Sequence, residues 1–131
     1  MSDVRQSNAV AIIAVYQARD LDTVLELTSD GSVFVNNAKP GITPYCANVS
    51  NKEEFAAYLS EIDECWQIEW FQIDHLVANG NEVATRSLMD CVSKKSRKRV
   101  ITQRANFWTV SDGKIVKILE FYDTAALGAC V

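Results

Sequence analysis

Three turns in the second half of the chain decide its fold. They read ANGNEV at residues 78–83, VSKKSRKRV at residues 92–100 and VSDGKIV at residues 110–116. Around them lie four segments rich in Val, Ile, Phe, Trp and Thr, at residues 66–78, 82–92, 100–110 and 114–122. Asn-Gly and Asp-Gly are strong hairpin signals, because type I′ turns need positive φ at both central residues. This half therefore predicts a four-stranded antiparallel meander.

The first half of the chain predicts three helices. Residues 4–18 are mostly apolar and indicate a largely buried first helix. Asp20 suits the N-cap of a short second helix, whose apolar residues recur three or four apart. The segment Ser50 to Glu53 fits a capping box, which predicts a third helix that runs to about Glu64.

Two connecting segments complete the predicted topology. Residues 33–35 indicate a short strand, and residues 36–50 hold both prolines and indicate a loop that could cover a site. Helices in one half and strands in the other predict an α+β fold with the helices packed on one face of the sheet. A length of 131 residues predicts a single domain over residues 1–131.

Charge and hydropathy argue against two classes of partner. The formal net charge is −4, whereas nucleic-acid binders usually carry a basic excess. The bases concentrate at residues 94–99, which we interpret as a solvated hairpin turn rather than as an anion patch or a localisation signal. No apolar run approaches the roughly 20 residues of a membrane span. We therefore expect neither a nucleic-acid partner nor a membrane.

The cysteines do not predict a metal site. The four cysteines show no C-x-x-C spacing, and His75 is the single histidine. Free thiols in apolar stretches pack as small hydrophobic groups. A reducing, cytoplasmic location is the simplest expectation.

Several motifs together resemble a known superfamily. They are Asp20-Leu21-Asp22 with Leu25, the segment Asp30 to Val35, and Asp112 to Val116 followed by Glu120 to Thr124. In this order they resemble the nuclear-transport-factor-2-like (NTF2-like) superfamily, and within it the SnoaL-like and ketosteroid-isomerase-like branch. The resemblance implies a cone, in which a strongly curved mixed or antiparallel sheet wraps a long helix and encloses a pocket. It also implies a homodimer through the outer face of the sheet, where Phe71, Phe107 and Phe121 would lie.

The resemblance also implies which strand residues face the pocket. Alignment with the isomerase pattern puts even-numbered residues inward, and a register slip of one residue would invert the assignment. The inward residues would be Trp66, Ile68, Trp70, Ala84, Arg86, Leu88, Asp90, Arg104, Asn106, Trp108, Ile118, Glu120 and Tyr122.

The isomerase catalytic set is not retained. That enzyme needs a carboxylate base and an oxyanion hole made from a Tyr and a protonated Asp. Asn36 stands at the base position, Asn106 at the aspartate position and Ile12 at the tyrosine position. An amide does not accept a proton at neutral pH, so isomerisation by that mechanism is excluded. Tyr16, one helical turn beyond Ile12, could donate a hydrogen bond instead.

The limonene epoxide hydrolase branch is also matched only in part. Its Tyr-x-Asn segment corresponds to Phe34 and Asn36, with the tyrosine lost. Glu120 falls at one carboxylate position and Arg86 lies near the arginine position. The other aspartate position falls on Leu88 or Met89.

Two hypotheses about function remain. The first is a cofactor-independent enzyme that isomerises, cyclises or hydrolyses a small hydrophobic molecule, with Glu120 as general acid/base and Arg86 or Arg104 stabilising an oxyanion. The second is a non-catalytic ligand-binding or dimeric assembly module of the same fold, in which the charged residues only form salt bridges. The predicted ligand contacts are Tyr16, Phe34, Asn36, Trp70, Leu88, Asp90, Asn106, Trp108, Ile118 and Tyr122.

Overall fold

The protein folds around one six-stranded mixed sheet. A computed structural model describes residues 13–14, 16–38 and 48–130. The strand order across the sheet is β2-β1-β6-β5-β4-β3, and β1 runs parallel to β6 while the other neighbouring pairs are antiparallel. The elements are α1 (Leu21–Glu26), β1 (Thr28–Asn36), β2 (Asn48–Val49), α2 (Lys52–Cys65), β3 (Trp66–Asn79), β4 (Glu82–Ser93), β5 (Arg99–Ser111), β6 (Lys114–Tyr122) and α3 (Thr124–Gly128). No helix in these ranges is long and apolar enough to span a membrane.

The four-stranded meander is confirmed, and its turns follow local chemistry. Asp112 and Gly113 both have positive φ, as the predicted type I′ turn requires. At the first turn Asn79 pairs with Glu82, so the loop is Gly80-Asn81, and the positive φ falls on Gly80 as in a type II′ turn. The basic residues 94–98 connect β4 to β5, which confirms that they form a hairpin connection.

The left-handed glycine at residue 113 predicts a measurable difference between two Gly→Ala variants. Gly113 has φ +74°, where an L side chain is strained, so Gly113→Ala should lower the free energy of unfolding by about 1–2 kcal/mol. Gly31 lies in strand β1 without positive φ and with open space around its Cα, so Gly31→Ala should be neutral or stabilising. Urea denaturation of both variants checks this, and equal losses would contradict it.

The prediction of three N-terminal helices is wrong. Within the described residues one long helix, α2, lies between β2 and β3, whereas α1 has six residues and α3 follows the sheet. Most of the predicted first helix and residues 39–47 of the predicted loop lie outside the described residues. The strand predicted at residues 33–35 begins earlier, at Thr28, directly after α1.

The helix N-caps agree with the sequence to within one residue. The Asp20 side chain accepts a hydrogen bond from the Thr23 amide at 3.3 Å, which confirms the cap of α1. Helix α2 is capped by Asn51 rather than Ser50, because Asn51 Oδ1 accepts from the Glu54 amide at 2.9 Å. Asn51 Nδ2 also donates to Glu54 Oε1 at 2.8 Å, so the helix start lies one residue further along than predicted, and the second bond joins the two side chains rather than closing a capping box through the backbone.

The main core lies on the inner face of the sheet, under α2. Paired residues of neighbouring strands point to the same face, so they form rows across the sheet. One row joins Phe34, Ile118, Trp108 and Val83, all buried. Helix α2 adds Phe55, whose ring centroid lies 5.3 Å from that of Phe34. The inward prediction is confirmed for the residues of β5 and β6.

Strand β4 faces the opposite way from the prediction. Its odd-numbered residues are buried, so the prediction of inward-facing residues is wrong for Ala84, Arg86, Leu88 and Asp90. The reason is the two-residue turn before the strand: Asn79 pairs with Glu82, so from His75 to Asn79 an odd number on β3 shares a face with an even number on β4. Uniform even numbering across all four strands is therefore incompatible with the turn itself.

A bulge places Trp70 on the outer face as well. The register of β3 against β4 shifts between Ile68 and Trp70, which leaves Glu69 without a paired residue. Beyond such a bulge the side chains change face. Trp70 is 46% exposed, whereas Phe71 turns inward and its ring contacts Tyr16 edge-on at 5.6 Å. The predictions of an inward Trp70 and an outward Phe71 are both wrong.

Candidate functional site

A polar row crosses the inner face of the sheet next to the apolar row. Asn36 on β1 pairs with Glu120 on β6, which in turn pairs with Asn106 on β5. The Glu120 side chain is only 3% exposed. Asn106 Nδ2 donates to Glu120 Oε2 at 3.2 Å. The sheet pairing therefore holds one carboxylate between two amides in the protein interior.

Arg104 supplies the positive charge that compensates this carboxylate. It precedes Asn106 by two residues on β5, so it shares the inner face, and its Nη1 lies 3.4 Å from Glu120 Oε2. Burial works to lower the pKa of Arg104, but Glu120 and the neighbouring tyrosines outweigh it, and the pKa is raised. Both members of this pair are largely desolvated, unlike the exposed ion pairs of the sheet surface.

Two tyrosines from the helical layer cover the charged pair. Asn36 Nδ2 donates to the Tyr58 hydroxyl at 3.3 Å, and Tyr58 lies on α2. Tyr16 is buried against the rings of Phe71 and Trp108. Burial is the main cause that raises the pKa of both tyrosines, and the charge of Glu120 adds to it. Both hydroxyls are therefore protonated at neutral pH.

A narrow cavity opens beside Glu120. Its lining combines the polar residues Tyr58, Arg104, Glu120 and Tyr122 with the apolar residues Ile62, Trp66, Ile68, Met89 and Leu127. Its free volume of about 10 Å³ is close to what a single water molecule needs. Both hydrogen-bond donors to Glu120 reach Oε2, and no described residue donates to Oε1.

Metal ligands are not gathered at this site. Among residues 13–14, 16–38 and 48–130, no group of three or more His, Cys, Asp or Glu side chains could hold a metal ion. Cys65, Cys91 and Cys130 are free thiols, and Cys46 lies outside the described ranges. Burial raises the pKa of the Cys91 thiol to about 11, so this cysteine is unreactive at neutral pH.

Comparison with known proteins identifies the family. Residues 9–118 match the model of the SnoaL-like domain. The chain belongs to the SnoaL-like family. No curated protein sequence matches it.

Solved structures show the same fold at low sequence identity. A SnoaL-like polyketide cyclase candidate from Jannaschia sp. CCS1 is 12% identical, with TM-score 0.85 over 100% of this chain and 96% of that one. An NTF2-like protein from Burkholderia xenovorans LB400 is 19% identical, with TM-score 0.81 over 99% and 98%. An epoxide hydrolase of the LEH-like type from M. tuberculosis is 20% identical, with TM-score 0.69 over 94% and 85%. At such identities the likeness concerns the fold alone.

Most of the predicted site residues of this SnoaL-like chain do come together. Nine of them lie on the inner side of the sheet or in the helical layer above it: Tyr16, Phe34, Asn36, Arg104, Asn106, Trp108, Ile118, Glu120 and Tyr122. Asp123 is exposed and caps α3 by accepting from the Ala126 amide.

Four predicted residues of the SnoaL-like site are instead on the outer face, away from Glu120. Arg86 pairs there with Asp74, and Asp90 pairs with Arg99. Leu88 and Trp70 are the other two. The arginine beside Glu120 is therefore Arg104. Arg86 does not occupy the arginine position of the epoxide hydrolase branch.

Three polar residues of the inner side were not among the predicted site residues: Tyr58, Thr85 and Ser87. Tyr58 on α2 belongs to no motif, and its one signal is helical spacing, since it lies three residues after Phe55 and four before Ile62. Thr85 and Ser87 follow from the first turn, since counting cross-strand pairs from Asn79 and Glu82 puts the odd residues of β4 inward.

Proposed function

We propose that this SnoaL-like protein is an enzyme that acts on a small hydrophobic molecule by acid/base chemistry, with Glu120 as the group that moves the proton. The observation that carries this proposal is the state of the Glu120 carboxylate. Oε2 is held by Arg104 and Asn106, while Oε1 has no donor among the described residues, and Glu120 lines a small cavity together with apolar side chains. A fixed carboxylate with one open oxygen suits proton abstraction.

The surrounding groups suit the charge that such a reaction develops. When Glu120 Oε1 removes a proton from the carbon next to a carbonyl, negative charge moves to the carbonyl oxygen. Arg104 and the protonated hydroxyls of Tyr16 and Tyr58 lie around the carboxylate and stabilise this charge in a site of low dielectric. Return of the proton to another atom completes an isomerisation or a ring closure without a cofactor.

Hydrolysis is a second candidate, in which the space beside Glu120 would hold the attacking water. The free volume beside Glu120 is that of one water molecule, which Oε1 would deprotonate as it attacks an epoxide or ester. The similar epoxide hydrolase from M. tuberculosis shares the fold, and this chain has Asn36 and Tyr58 next to the carboxylate.

Proton abstraction can be tested without knowing the natural substrate. The protein is incubated in D₂O with a panel of cyclic ketones and epoxides, and NMR follows deuterium uptake next to the carbonyl and diol formation. Glu120→Gln keeps the shape of the side chain and should lower either rate at least about a hundredfold. Glu69→Gln, which removes an exposed carboxylate from the same sheet, should leave the rates unchanged.

Two results would contradict the enzymatic proposal. The first is turnover in Glu120→Gln that equals that of the unmodified protein. The second is binding of panel members without turnover, which would favour a ligand-binding module whose Asn36 and Asn106 only hold the ligand.

We also propose that the protein forms a homodimer through the outer face of the sheet. Ile101, Phe107 and Phe121 are exposed there to 67%, 49% and 48%, and the two phenylalanine rings contact each other edge-on at 6.0 Å. Exposed apolar patches of this kind mark interaction surfaces. Light scattering at micromolar concentration should return twice 14.6 kDa.

Charge placed on this patch should separate the dimer. Phe107→Asp should return the monomer mass in the same light-scattering measurement, because a buried carboxylate without a partner opposes association. Lys95→Asp, in the exposed connection between β4 and β5, is the matched control and should remain dimeric. A monomeric unmodified protein would contradict the proposal.

A further inference from the structure

The cavity beside Glu120 is too small for the molecule that the proposed reaction needs. Its free volume is about 10 Å³, whereas sites for small organic ligands typically enclose roughly 300 Å³ or more. A ring next to Glu120 therefore requires the displacement of at least one side chain that lines the cavity. The attachment of each lining element to the rest of the fold indicates which one moves.

Eight of the nine lining residues belong to firmly attached elements. Six lie on strands β3 to β6, where movement would break backbone hydrogen bonds of the sheet. Tyr58 and Ile62 lie on α2, which has 14 residues and buries Phe55 and Leu59 in the main core. The ninth lining residue is Leu127 of α3.

Helix α3 is short and rests on one buried side chain. It has five residues, and Leu127, 3% exposed, is the buried one. Its backbone hydrogen bonds lie within the segment, since the Leu127 amide donates to Asp123 O at 3.3 Å and the Ala129 amide donates to Ala125 O at 3.0 Å. After the helix, the Cys130 carbonyl accepts from Ser96 Oγ in the connection between β4 and β5.

These features make local opening of α3 easy. A helix of this length is not stable by itself, and segments with few buried apolar side chains open with less free energy than the core of a sheet. The buried side chain of α3 also fills space near Glu120, because Leu127 and Glu120 line the same cavity. Opening of α3 would therefore withdraw Leu127 and leave its volume beside the carboxylate.

We propose that α3 is the movable cover of the cavity beside Glu120, and that Leu127 is the side chain that controls entry and limits the size of the bound molecule. This inference deepens the proposed function, on which it rests for the chemistry of the bound molecule. In the closed form Leu127 excludes molecules larger than water. In the open form an apolar ring takes the place of the leucine side chain, against Trp66, Ile68 and Met89.

Benzene binding to Leu127→Ala tests whether this leucine fills the site. A leucine-to-alanine change in a core can leave an apolar cavity of roughly 150 Å³ that binds benzene. Of the three tryptophans, Trp66 lines the cavity, whereas Trp108 lies in the main core and Trp70 is exposed. In NMR titrations of Leu127→Ala, benzene should shift the Trp66 indole signal to saturation. The affinity should exceed that of the unmodified protein at least about tenfold, because there benzene must first displace Leu127.

Leu59→Ala is the matched control for this titration. It removes the same atoms from a leucine of α2 that is 8% exposed and packs in the main core. Benzene that binds in the space left there should not change the Trp66 signal. Equal shifts of Trp66 in both variants would come from a general loosening of the fold and would overturn the inference.

Hydrogen exchange tests the movement while Leu127 is still present. The amides of Ala129 and Cys130 report on the α3 segment, since both donate within it. The amide of Ile118, 1% exposed in β6, reports on the core of the sheet. In the unmodified protein the two α3 amides should exchange at least about a hundredfold faster than the Ile118 amide.

Ser96→Ala joins the two measurements. It removes the hydroxyl that donates to the Cys130 carbonyl, so the open form should become about three- to tenfold more populated. The exchange rates of the α3 amides and the affinity for benzene should rise by the same factor, because only the open form binds. Ser111→Ala, at the opposite end of β5 from this connection, is the control and should change neither quantity.

The inference is overturned if benzene does not shift the Trp66 signal of Leu127→Ala, or if the α3 amides exchange as slowly as the Ile118 amide. Different factors for exchange and binding in Ser96→Ala would also contradict it. Failure of the proposed function is a different result: Leu127→Ala would bind benzene as expected, while Glu120→Gln would leave deuterium uptake by the cyclic ketones unchanged.

Discussion

Glu120→Leu is expected to lower the free energy of unfolding by about 3–5 kcal/mol, the cost of breaking a buried ion pair from one side. The variant leaves the Arg104 guanidinium in the interior without its carboxylate. Arginine does not lose its proton in proteins, so the charge remains. Urea denaturation at one protein concentration, followed by circular dichroism, measures the loss.

The double variant separates the charge from the packing. Arg104→Leu combined with Glu120→Leu should recover most of the lost stability, because apolar residues of similar volume often replace a buried ion pair at little cost. The coupling energy from the full mutant cycle should then be large and favourable. Additive losses in the double variant would show that the pair contributes only through its volume.

An exposed ion pair of the same sheet is the matched control. Arg86 pairs with Asp74 on the outer face, where its side chain is 46% exposed. Solvent screens such a pair, so Arg86→Ala should change the unfolding midpoint little. A loss as large as that of Glu120→Leu would contradict the assignment of Arg86 to the outer face.

Trp108→Ala should destabilise the protein by about 4–5 kcal/mol, near the upper end for removal of a large buried side chain. Trp108 is 1% exposed and lies in the central row of the sheet. Its ring contacts Tyr16 edge-on at 4.8 Å, and its Nε1 donates to Thr85 Oγ1 at 3.0 Å. The truncation would remove this packing and leave a buried hydroxyl without its donor.

Two further tryptophan variants separate the contribution of packing from that of the hydrogen bond to Thr85. Trp108→Phe keeps most of the packing and should cost only about 1–2 kcal/mol, mainly from the lost hydrogen bond to Thr85. Trp70→Ala, on the exposed outer face, should have a much smaller effect on unfolding measured at the same protein concentration. The unfolding midpoints in urea give all three values. Equal losses for Trp70→Ala and Trp108→Ala would contradict the observed facing of β3.

Local chemistry was sufficient to predict the elements of the second half. The turn at Asp112-Gly113 requires positive φ at two neighbouring residues. Few dipeptides tolerate this conformation, so the position of the turn can be predicted from the sequence. The helix caps at Asp20 and near residue 51 could also be predicted from the sequence, because each depends only on residues within one helical turn.

The sequence predicted only part of the candidate site. Glu120, Arg104 and Asn106 were expected on the inner face and are there, because β5 and β6 keep the even-numbered register around them. Arg86 was expected beside Glu120 and lies on the other face. Tyr58 comes from a helix whose position over the sheet no local pattern specifies.

The α+β class, the four strands of the meander and the turns between them follow from the amino-acid sequence, because each of these depends on neighbouring residues. Tertiary structure decided which face of each strand is buried. A bulge at Glu69 or a two-residue turn at Gly80 shifts the pairing by one, and this shift exchanges the two faces up to the next irregularity, which in β3 is the second bulge between Ile73 and His75. Pairing between strands brings together residues that are far apart in sequence. The pairing register that buries the most apolar side chains of both strands is the one adopted. Arg104 and Glu120 meet for this reason, although 16 positions separate them along the chain.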